Sequence, residues 1–214
     1  MLRIENVSKK YGSNVVLDNI NLEFNNGKIY GLIGANGSGK SMILKVLAGY
    51  VIPDTGKVYQ DDESIIGCKK FIKNAGIIIN NPKFLDDKTL IENLKFILEY
   101  CKNKDRINLE RWIEFYKLEE FKNKKYKELS MGTKQKMLLI QAFMDKPAIL
   151  LLDECTNALD RESVSKTIKY IKKQKERGKL IIMTSHIDGK LAEICDEIIE
   201  ISEGRIVNQF ESEL

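Results

Sequence analysis

The chain has 214 residues, 43% of them hydrophobic and 31% charged, and its 35 Lys+Arg against 31 Asp+Glu give a net charge of +4. That length supports one domain, with room for a subdomain and a sizeable core; 14 glycines and three prolines exclude collagen-like and low-complexity classes. The positive excess is too small to mark a nucleic-acid binder, and with no run of 18 apolar residues the sequence holds no membrane-spanning helix.

In chain order, Leu2-Arg3-Ile4-Glu5 alternates, and Ile20, Leu22 and Phe24 share one face against Asn19, Asn21 and Glu23 on the other. A period of two predicts half-buried antiparallel strands. Asn25-Asn26-Gly27 reads as a hairpin turn, because Asn and Gly tolerate positive φ. The runs Lys28–Ile33, Ala75–Ile79, Ala148–Leu152 and Leu180–Met183 are almost continuously apolar, as strands covered on both faces are. Helical patterns lie between them at 40–49, 89–101, 107–118, 133–145, 161–176 and 188–195. Strand alternating with helix implies parallel α/β connectivity. Pro147 closes one helix and Gly178 another, and Gly204 to Phe210 reads as a short hairpin arm. Residues 82–129 are lysine-rich and helical without a buried-strand signal, hence a helical insertion. Its Lys122, Lys124, Lys125 and Lys127 read as a solvated face, with a partner-docking surface as the sharper alternative. The start has no apolar stretch of signal-peptide length, and Cys68, Cys101, Cys155 and Cys195 lie far apart without a CxxC pair. A cytosolic location with reduced thiols is expected.

Gly34-Ala35-Asn36-Gly37-Ser38-Gly39-Lys40-Ser41 fits G-x-x-x-x-G-K-[S/T]. Glycines let the backbone curl so that several N–H groups face phosphate oxygens, and side chains there would block the approach. The helix that follows adds its positive end. Lys40 supplies a full charge to the β- and γ-phosphates, and the Ser41 hydroxyl can ligate Mg²⁺. A glycine turn with a stray lysine is the bland alternative; an apolar strand before the loop and a helix after it argue against that.

Ile149-Leu150-Leu151-Leu152-Asp153-Glu154 is a buried strand ending in two acids. Ligands of open α/β sheets bind at the carboxyl ends of the strands. Mg²⁺ prefers oxygen ligands and keeps several waters, so Asp153, Ser41 and phosphates suffice to hold it. Glu154, one residue on, is placed to orient or deprotonate a water.

Leu129-Ser130-Met131-Gly132-Thr133-Lys134-Gln135-Lys136 fits LSxGxxQ[K/R] and falls between the phosphate loop and the acidic strand. With these motifs in this order the chain resembles, over essentially its whole length, the ATP-binding subunit of ATP-binding cassette (ABC) transporters. The resemblance implies a P-loop NTPase α/β core with a mostly parallel sheet, an N-terminal antiparallel β subdomain and a helical insertion subdomain. The whole chain, 1–214, is then one ABC ATPase domain, with a nucleotide-binding core at 1–81 and 130–214 and the helical subdomain at 82–129. It further implies that Tyr11 stacks on adenine and that Asp160, in Ala158-Leu159-Asp160, is the D-loop aspartate. His186, the sole histidine, matches the switch residue beside the γ-phosphate. Catalysis then falls to Glu154, His186 and Asn80, and Mg²⁺ to Ser41, Asp153 and Asn80. ATP and Mg²⁺ are the implied ligands. In the family two subunits lie head to tail, so Ser130, Met131, Gly132 and Gln135 face the ATP held by a second ABC ATPase subunit. A separate integral membrane permease completes the transporter, which places the chain at the cytoplasmic face of the membrane without nucleic acid.

Three departures matter. The family's amide after the helical-turn strand is usually Gln; here it is Asn80, or Asn81 in the alternative register, one methylene shorter. Cys155 stands where Pro is usual, and a redox role beside the site is conceivable for it. Met131 stands where importers commonly have Gly, and with the compact insertion and no regulatory domain after Leu214 it resembles exporters of drugs, bacteriocins or lipids. A soluble non-transport ABC ATPase and a small-molecule P-loop kinase are the competing readings. The first usually carries coiled coils, zinc modules or tandem cassettes, and the second has no need of the LSxGxxQ octet.

Overall fold

The alternating N-terminal residues form two long strands, β1 (Leu2–Tyr11) and β2 (Asn14–Phe24), paired antiparallel with Leu2 opposite Phe24 and Ile4 opposite Leu22. The structure is a computed structural model that describes residues 1–65, 70–185 and 192–211. β3 (Ile29–Ile33) leads into α1 (Lys40–Ala48), and the chain then returns to β1 through β4 (Thr55–Gln60) and β5 (Glu63–Ile65). β6 (Ala75–Ile78) precedes the insertion, which contains α2 (Leu90–Leu98) and α3 (Leu109–Phe115). The remainder runs α4 (Met131–Phe143), β7 (Ile149–Leu152), α5 (Arg161–Glu176), β8 (Leu180–Ser185), β9 (Glu197–Ser202) and β10 (Arg205–Glu211).

Two sheets result. One is antiparallel in the order β2-β1-β4-β5; the other runs β10-β9-β3-β8-β7-β6 and is parallel except for β10. The near-continuous apolar strands of the second sheet are explained by two cores. Along β7, Ile149 and Leu151 pack into the core shared with α1 and the first sheet, whereas Leu150 and Leu152 pack into the core shared with α2, α3, α4 and α5. Along β8, Leu180 and Ile182 face the first core and Ile181 and Met183 the second. The residues of Ile149–Leu152 and Leu180–Met183 therefore all meet apolar surroundings, whichever face they occupy. Helix α1 lies between the two sheets, and Ile43, Leu44 and Leu47 are fully buried there.

The structure corrects parts of the sequence reading. Asn25-Asn26-Gly27 is a turn, with Gly27 at φ 78, but not a hairpin. β2 and β3 belong to different sheets, and Gly27 N–H donates to the Lys179 carbonyl across that transfer. A strand apolar on both faces cannot pair with the half-exposed edge of β2 without baring one face. The helix expected at 188–195 shows only a single 3₁₀ turn at Ala192–Ile194, and 188–191 lie outside the described residues. β4, β5 and β9 were missing from the sequence reading. β4 buries only Val58, so it carries little apolar signal. Gly204–Phe210 does form a hairpin arm, paired with β9. Among the described residues no helix is long and apolar enough to cross a membrane.

Candidate nucleotide site

β3, β8, β7 and β6 are consecutive parallel neighbours, so the segments leaving their carboxyl ends emerge side by side. Ile33 sits opposite Ser185, and Leu152 opposite both Met183 and Ile78. The glycine loop, Thr184, Asp153-Glu154 and Asn80-Asn81 thus share one edge, where open α/β sheets take ligands.

Within the loop, Gly34 has φ 147, and a Cβ there would sit 2.1 Å from the Ile201 carbonyl oxygen, so only glycine fits. The Ser38 carbonyl accepts from Gly204 N–H at 2.9 Å, which seats the loop on the β9–β10 turn. The loop runs into α1 through Gly39, which offers no side-chain cap, and the first turn of α1 holds no acid. The other helices are capped by Thr89, Asn108, Ser130 and Asp160, each accepting a backbone N–H. Of the five α-helices among the described residues, α1 alone keeps its N-terminal donors and positive dipole end unclaimed by a side-chain cap, as an anion site requires. Ser38 Oγ is buried and has no hydrogen-bond partner among the described residues. A buried orphan hydroxyl inside a ring of amide donors fits a phosphate ligand. Lys40, only 5% exposed, donates from Nζ to the Gly34 and Ala35 carbonyls at 2.8 Å each. Burial holds its pKa below the usual lysine value, against the pull of Glu154 and Asp153 in the other direction.

Asp153 Oδ1 accepts from Ser41 Oγ at 3.0 Å and from Thr184 Oγ1 at 2.6 Å. A hydroxyl and a carboxylate in contact beside the loop are hard oxygen donors of the kind Mg²⁺ prefers. Among the described residues no group of three or more His, Cys, Asp or Glu gathers for a metal cage. A cation here would therefore draw most of its ligands from phosphate and water, the usual magnesium arrangement. Glu154 is held at φ 46 by a hydrogen bond from its N–H to Thr184 Oγ1 at 3.0 Å, and its Oε2 accepts from Asn157 Nδ2 at 2.7 Å. Thr184 thus orients both acids. Sequence reasoning passed over it; the one signal was a hydroxyl ending an otherwise apolar strand. Thr184→Val keeps the shape and removes both bonds. ATP turnover is expected to fall roughly tenfold or more, from misplacement alone, and urea unfolding to show a loss of about 1–3 kcal/mol. A phosphate-release rate equal to wild type would remove Thr184 from the site.

Ser130 caps α4: its Oγ accepts from Thr133 N–H at 3.2 Å. Met131 is 72% exposed, and a Cβ on Gly132 would meet the Ala158 carbonyl oxygen at 2.7 Å. Gln135 is buried and donates from Nε2 to the Cys155 carbonyl at 2.9 Å. The start of α4 is therefore bound to the loop that follows Glu154. A cavity of about 230 Å³ lies there, lined by Asn81, Met131, Gln135, Glu154 and Asn157 among others. Asn81 shares it with Glu154, and Asn80 precedes Asn81 just past the end of β6, both exposed. No hydrogen bond among the described residues joins Ser130, Met131 or Gly132 to residues 34–41. Tyr11, at the end of β1, is 53% exposed, with Lys9 Nζ 5.3 Å from its ring centre. His186 and Cys68 lie outside the described residues. Cys155 is fully buried and its thiol is pushed up to about 12, so no thiolate is on hand for the redox role entertained from sequence.

Asp160 caps α5 through Ser163 N–H at 2.8 Å and pairs with Lys136 Nζ on α4, also at 2.8 Å. The Lys136 ammonium, with the Ser163 amide, holds its carboxyl well below the usual carboxylate range. A group depressed on folding adds stability above its unfolded pKa of about 3.9 and loses it as pH falls through and below that value. Asn caps a helix nearly as well as Asp. Wild type is therefore expected to exceed Asp160→Asn in urea midpoint at neutral pH, and the gap to narrow below about pH 4. A pH-independent gap would refute the ion pair as its source.

The family model described as ABC transporter matches residues 17–157. The Bacillus subtilis protein named uncharacterized ABC transporter ATP-binding protein YybJ is 37% identical over 206 residues, covering 96% of this chain and 94% of its own. The bacitracin transport ATP-binding protein BcrA of Enterococcus faecalis is 31% identical, covering 98% of this chain and 68% of its own. The methionine import ATP-binding protein MetN of Francisella tularensis is 35% identical over 96% of this chain, which spans 63% of MetN. The dimeric structure of MJ0796, a bacterial ABC transporter cassette, superposes with TM-score 0.85 at 26% identity over 99% of this chain and 98% of its own. The same cassette in a post-hydrolysis state bound to ADP and Pi matches with TM-score 0.85 at 25% identity. With the phosphate loop, the acidic strand end and the α4 octet on one scaffold, the chain belongs to the ABC transporter family, as one of its ATP-binding, ATP-hydrolysing subunits.

Proposed function

We propose that this chain is half of a motor in which two ATP-binding subunits, arranged head to tail, clasp ATP between them and drive a separate membrane permease from its cytoplasmic face. The observation that carries the reading is the position of Ser130-Met131-Gly132: partly exposed at the start of α4, without a bond to the chain's own phosphate loop. A motif so placed serves a site on another molecule.

In this reading residues 1–81 and 130–214 form the nucleotide-binding core and 82–129 the helical subdomain. Gly34 to Ser41 hold the phosphates and Tyr11 the adenine. Lys40 exchanges the Gly34 and Ala35 carbonyls for phosphate oxygens. Ser41 and Asp153 would hold Mg²⁺, which neutralises phosphate charge when bound. Glu154, fixed by Thr184 and Asn157, takes the proton of the attacking water. Asn81, or Asn80 in the other register, supplies the short amide, and His186 reaches the γ-phosphate. Ser130 and Gly132 close on the partner's ATP, while Gln135 and Asp160 tie the start of α4 to the loop that follows Glu154. Exposed aromatic pairs, Phe96 with Tyr100 and Tyr50 with Phe71, offer apolar surface for a permease. Export is the direction favoured by Met131 in the octet.

Mixing two dead variants tests the arrangement. Lys40→Ala removes the loop's cation, and Ser130→Arg blocks the octet. In a head-to-tail pair of the two, one site combines the intact loop of one chain with the intact octet of the other. The mixture is expected to regain ATP hydrolysis that neither variant shows alone. Two inactive variants that stay inactive when mixed, each folded by circular dichroism, would overturn the shared site.

A further inference from the structure

A second and larger cavity, about 490 Å³, opens between α3 and α5, and none of its lining residues belongs to the nucleotide site. Its walls are aromatic: Trp112 lies 5.4 Å from Tyr170 and 5.8 Å from Phe115, ring centre to ring centre. Its rim is cationic. Arg106, Arg111, Lys146, Lys169, Lys173 and Arg177 all line it, and no carboxylate does. None of these six pairs with a carboxylate among the described residues; Lys166, a further lining cation, is tied to Glu162 at 3.1 Å. Six unneutralised cations at one mouth exceed the net charge of the whole chain, +4. Nearby, burial together with Arg177 and Lys146 lowers Lys179 to about 8, so the positive field is felt beyond the rim.

Gln174 also lines the cavity. Its side chain is fully buried, and neither its amide oxygen nor its nitrogen finds a partner among the described residues. Leaving both halves of a buried amide unpaired is costly, and such groups call for an explanation. The cavity has the size of a small-molecule site. It offers planar apolar walls, a donor–acceptor pair and a ring of cations. A lipid surface would need the cations but neither the aromatic walls nor the amide. The ligand that uses all three has a flat heterocycle with polar edges and carries phosphate.

We propose that the α3–α5 cavity is a second ligand site, for a nucleotide other than the one hydrolysed, with its ring against Trp112 and Tyr170, its polar edge at Gln174 and its phosphates at the rim. The position on α5, which is capped by Asp160, makes it a place from which a bound nucleotide can bias the loop between Glu154 and α5 and, through Lys136, the start of α4.

Trp112 is the sole tryptophan, so its fluorescence reports on this wall directly. The experiment titrates the full chain bearing Lys40→Ala, without magnesium, with ADP, GDP, inorganic pyrophosphate and phosphatidylglycerol vesicles. At least one nucleotide is expected to change Trp112 emission saturably. Lys173→Glu with Arg177→Glu, both at exposed positions, is expected to weaken that binding roughly tenfold or more, while circular dichroism stays unchanged. An unmoved Trp112 up to millimolar nucleotide, or a change indifferent to the charge reversals, would overturn the site. Pyrophosphate binding as tightly as the nucleotides, or vesicles alone binding, would overturn the assignment of the ligand. Failure here leaves the mixed-variant result untouched, since none of these residues takes part in it.

Discussion

Replacing Glu154 by glutamine is expected to lower ATP turnover by about 10²–10⁴-fold, the usual contribution of a positioned base, while ATP still binds. Glutamine has the same length, and its amide oxygen can go on accepting from Asn157 Nδ2, the bond made at 2.7 Å in the wild type. The backbone at φ 46 and the N–H bond to Thr184 do not involve the side chain, so the local fold persists. What disappears is the proton acceptor, together with one negative charge beside the phosphates. An ATP-bound pair of chains is therefore expected to accumulate, seen as a nucleotide-dependent shift in sizing chromatography. Turnover within a few-fold of wild type would move the base elsewhere, and a monomer at all ATP concentrations would speak against the two-chain clasp.

Lys40→Ala is expected to separate binding from stability. Lys40 is a buried cation whose pKa burial lowers, so the folded chain gains little by keeping its charge. Its two bonds run to the Gly34 and Ala35 carbonyls, and in the proposed function it exchanges them for phosphate oxygens. Removal should shift the melting temperature by no more than a few degrees, because the desolvation of a buried ammonium is relieved along with the two bonds it makes. Nucleotide affinity is expected to drop by about one to two orders of magnitude, as the loss of a charge-assisted contact of roughly 1.5–3 kcal/mol implies. Equilibrium dialysis with ATP and a thermal melt on the same sample check both halves. A large loss of stability with affinity retained would make Lys40 a structural residue.

The parts of this molecule most legible in sequence were those where backbone geometry leaves one residue type. Gly34 is an example: the Ile201 carbonyl sits where a side chain would begin. The acids after β7 were legible for another reason, since two carboxylates ending four buried aliphatic residues have no apolar explanation. β4 was not legible, because its one buried residue, Val58, hides among Thr, Gly, Lys and Gln. The Asn25-Asn26-Gly27 turn showed that turn chemistry specifies a reversal but not its destination. Which sheet receives β3 depends on faces that only the assembled core supplies. Thr184 escaped because a hydroxyl at a strand end looks the same whether it meets solvent or two acids. The register of Asn80 and Asn81 stayed open because the sequence does not say which of two adjacent amides turns inward. The α3–α5 cavity was illegible for a related reason: its cations run from Arg106 to Arg177 and converge only when the two helices pack.

The seat of the phosphate loop on the β9–β10 turn carries one more consequence. Ser38 is tied to Gly204, Gly204 in turn to Asp18 of β2, and Gly34 leaves the Ile201 carbonyl the room that a side chain would occupy. The cradle is thus braced against β2 and the β9–β10 turn before any guest enters. Capture of a triphosphate spends little free energy on freezing main chain, so a lone subunit can be charged in advance. In the proposed arrangement the work of ordering would then be deferred to the meeting of the two halves, the step in which a permease could feel the fuel.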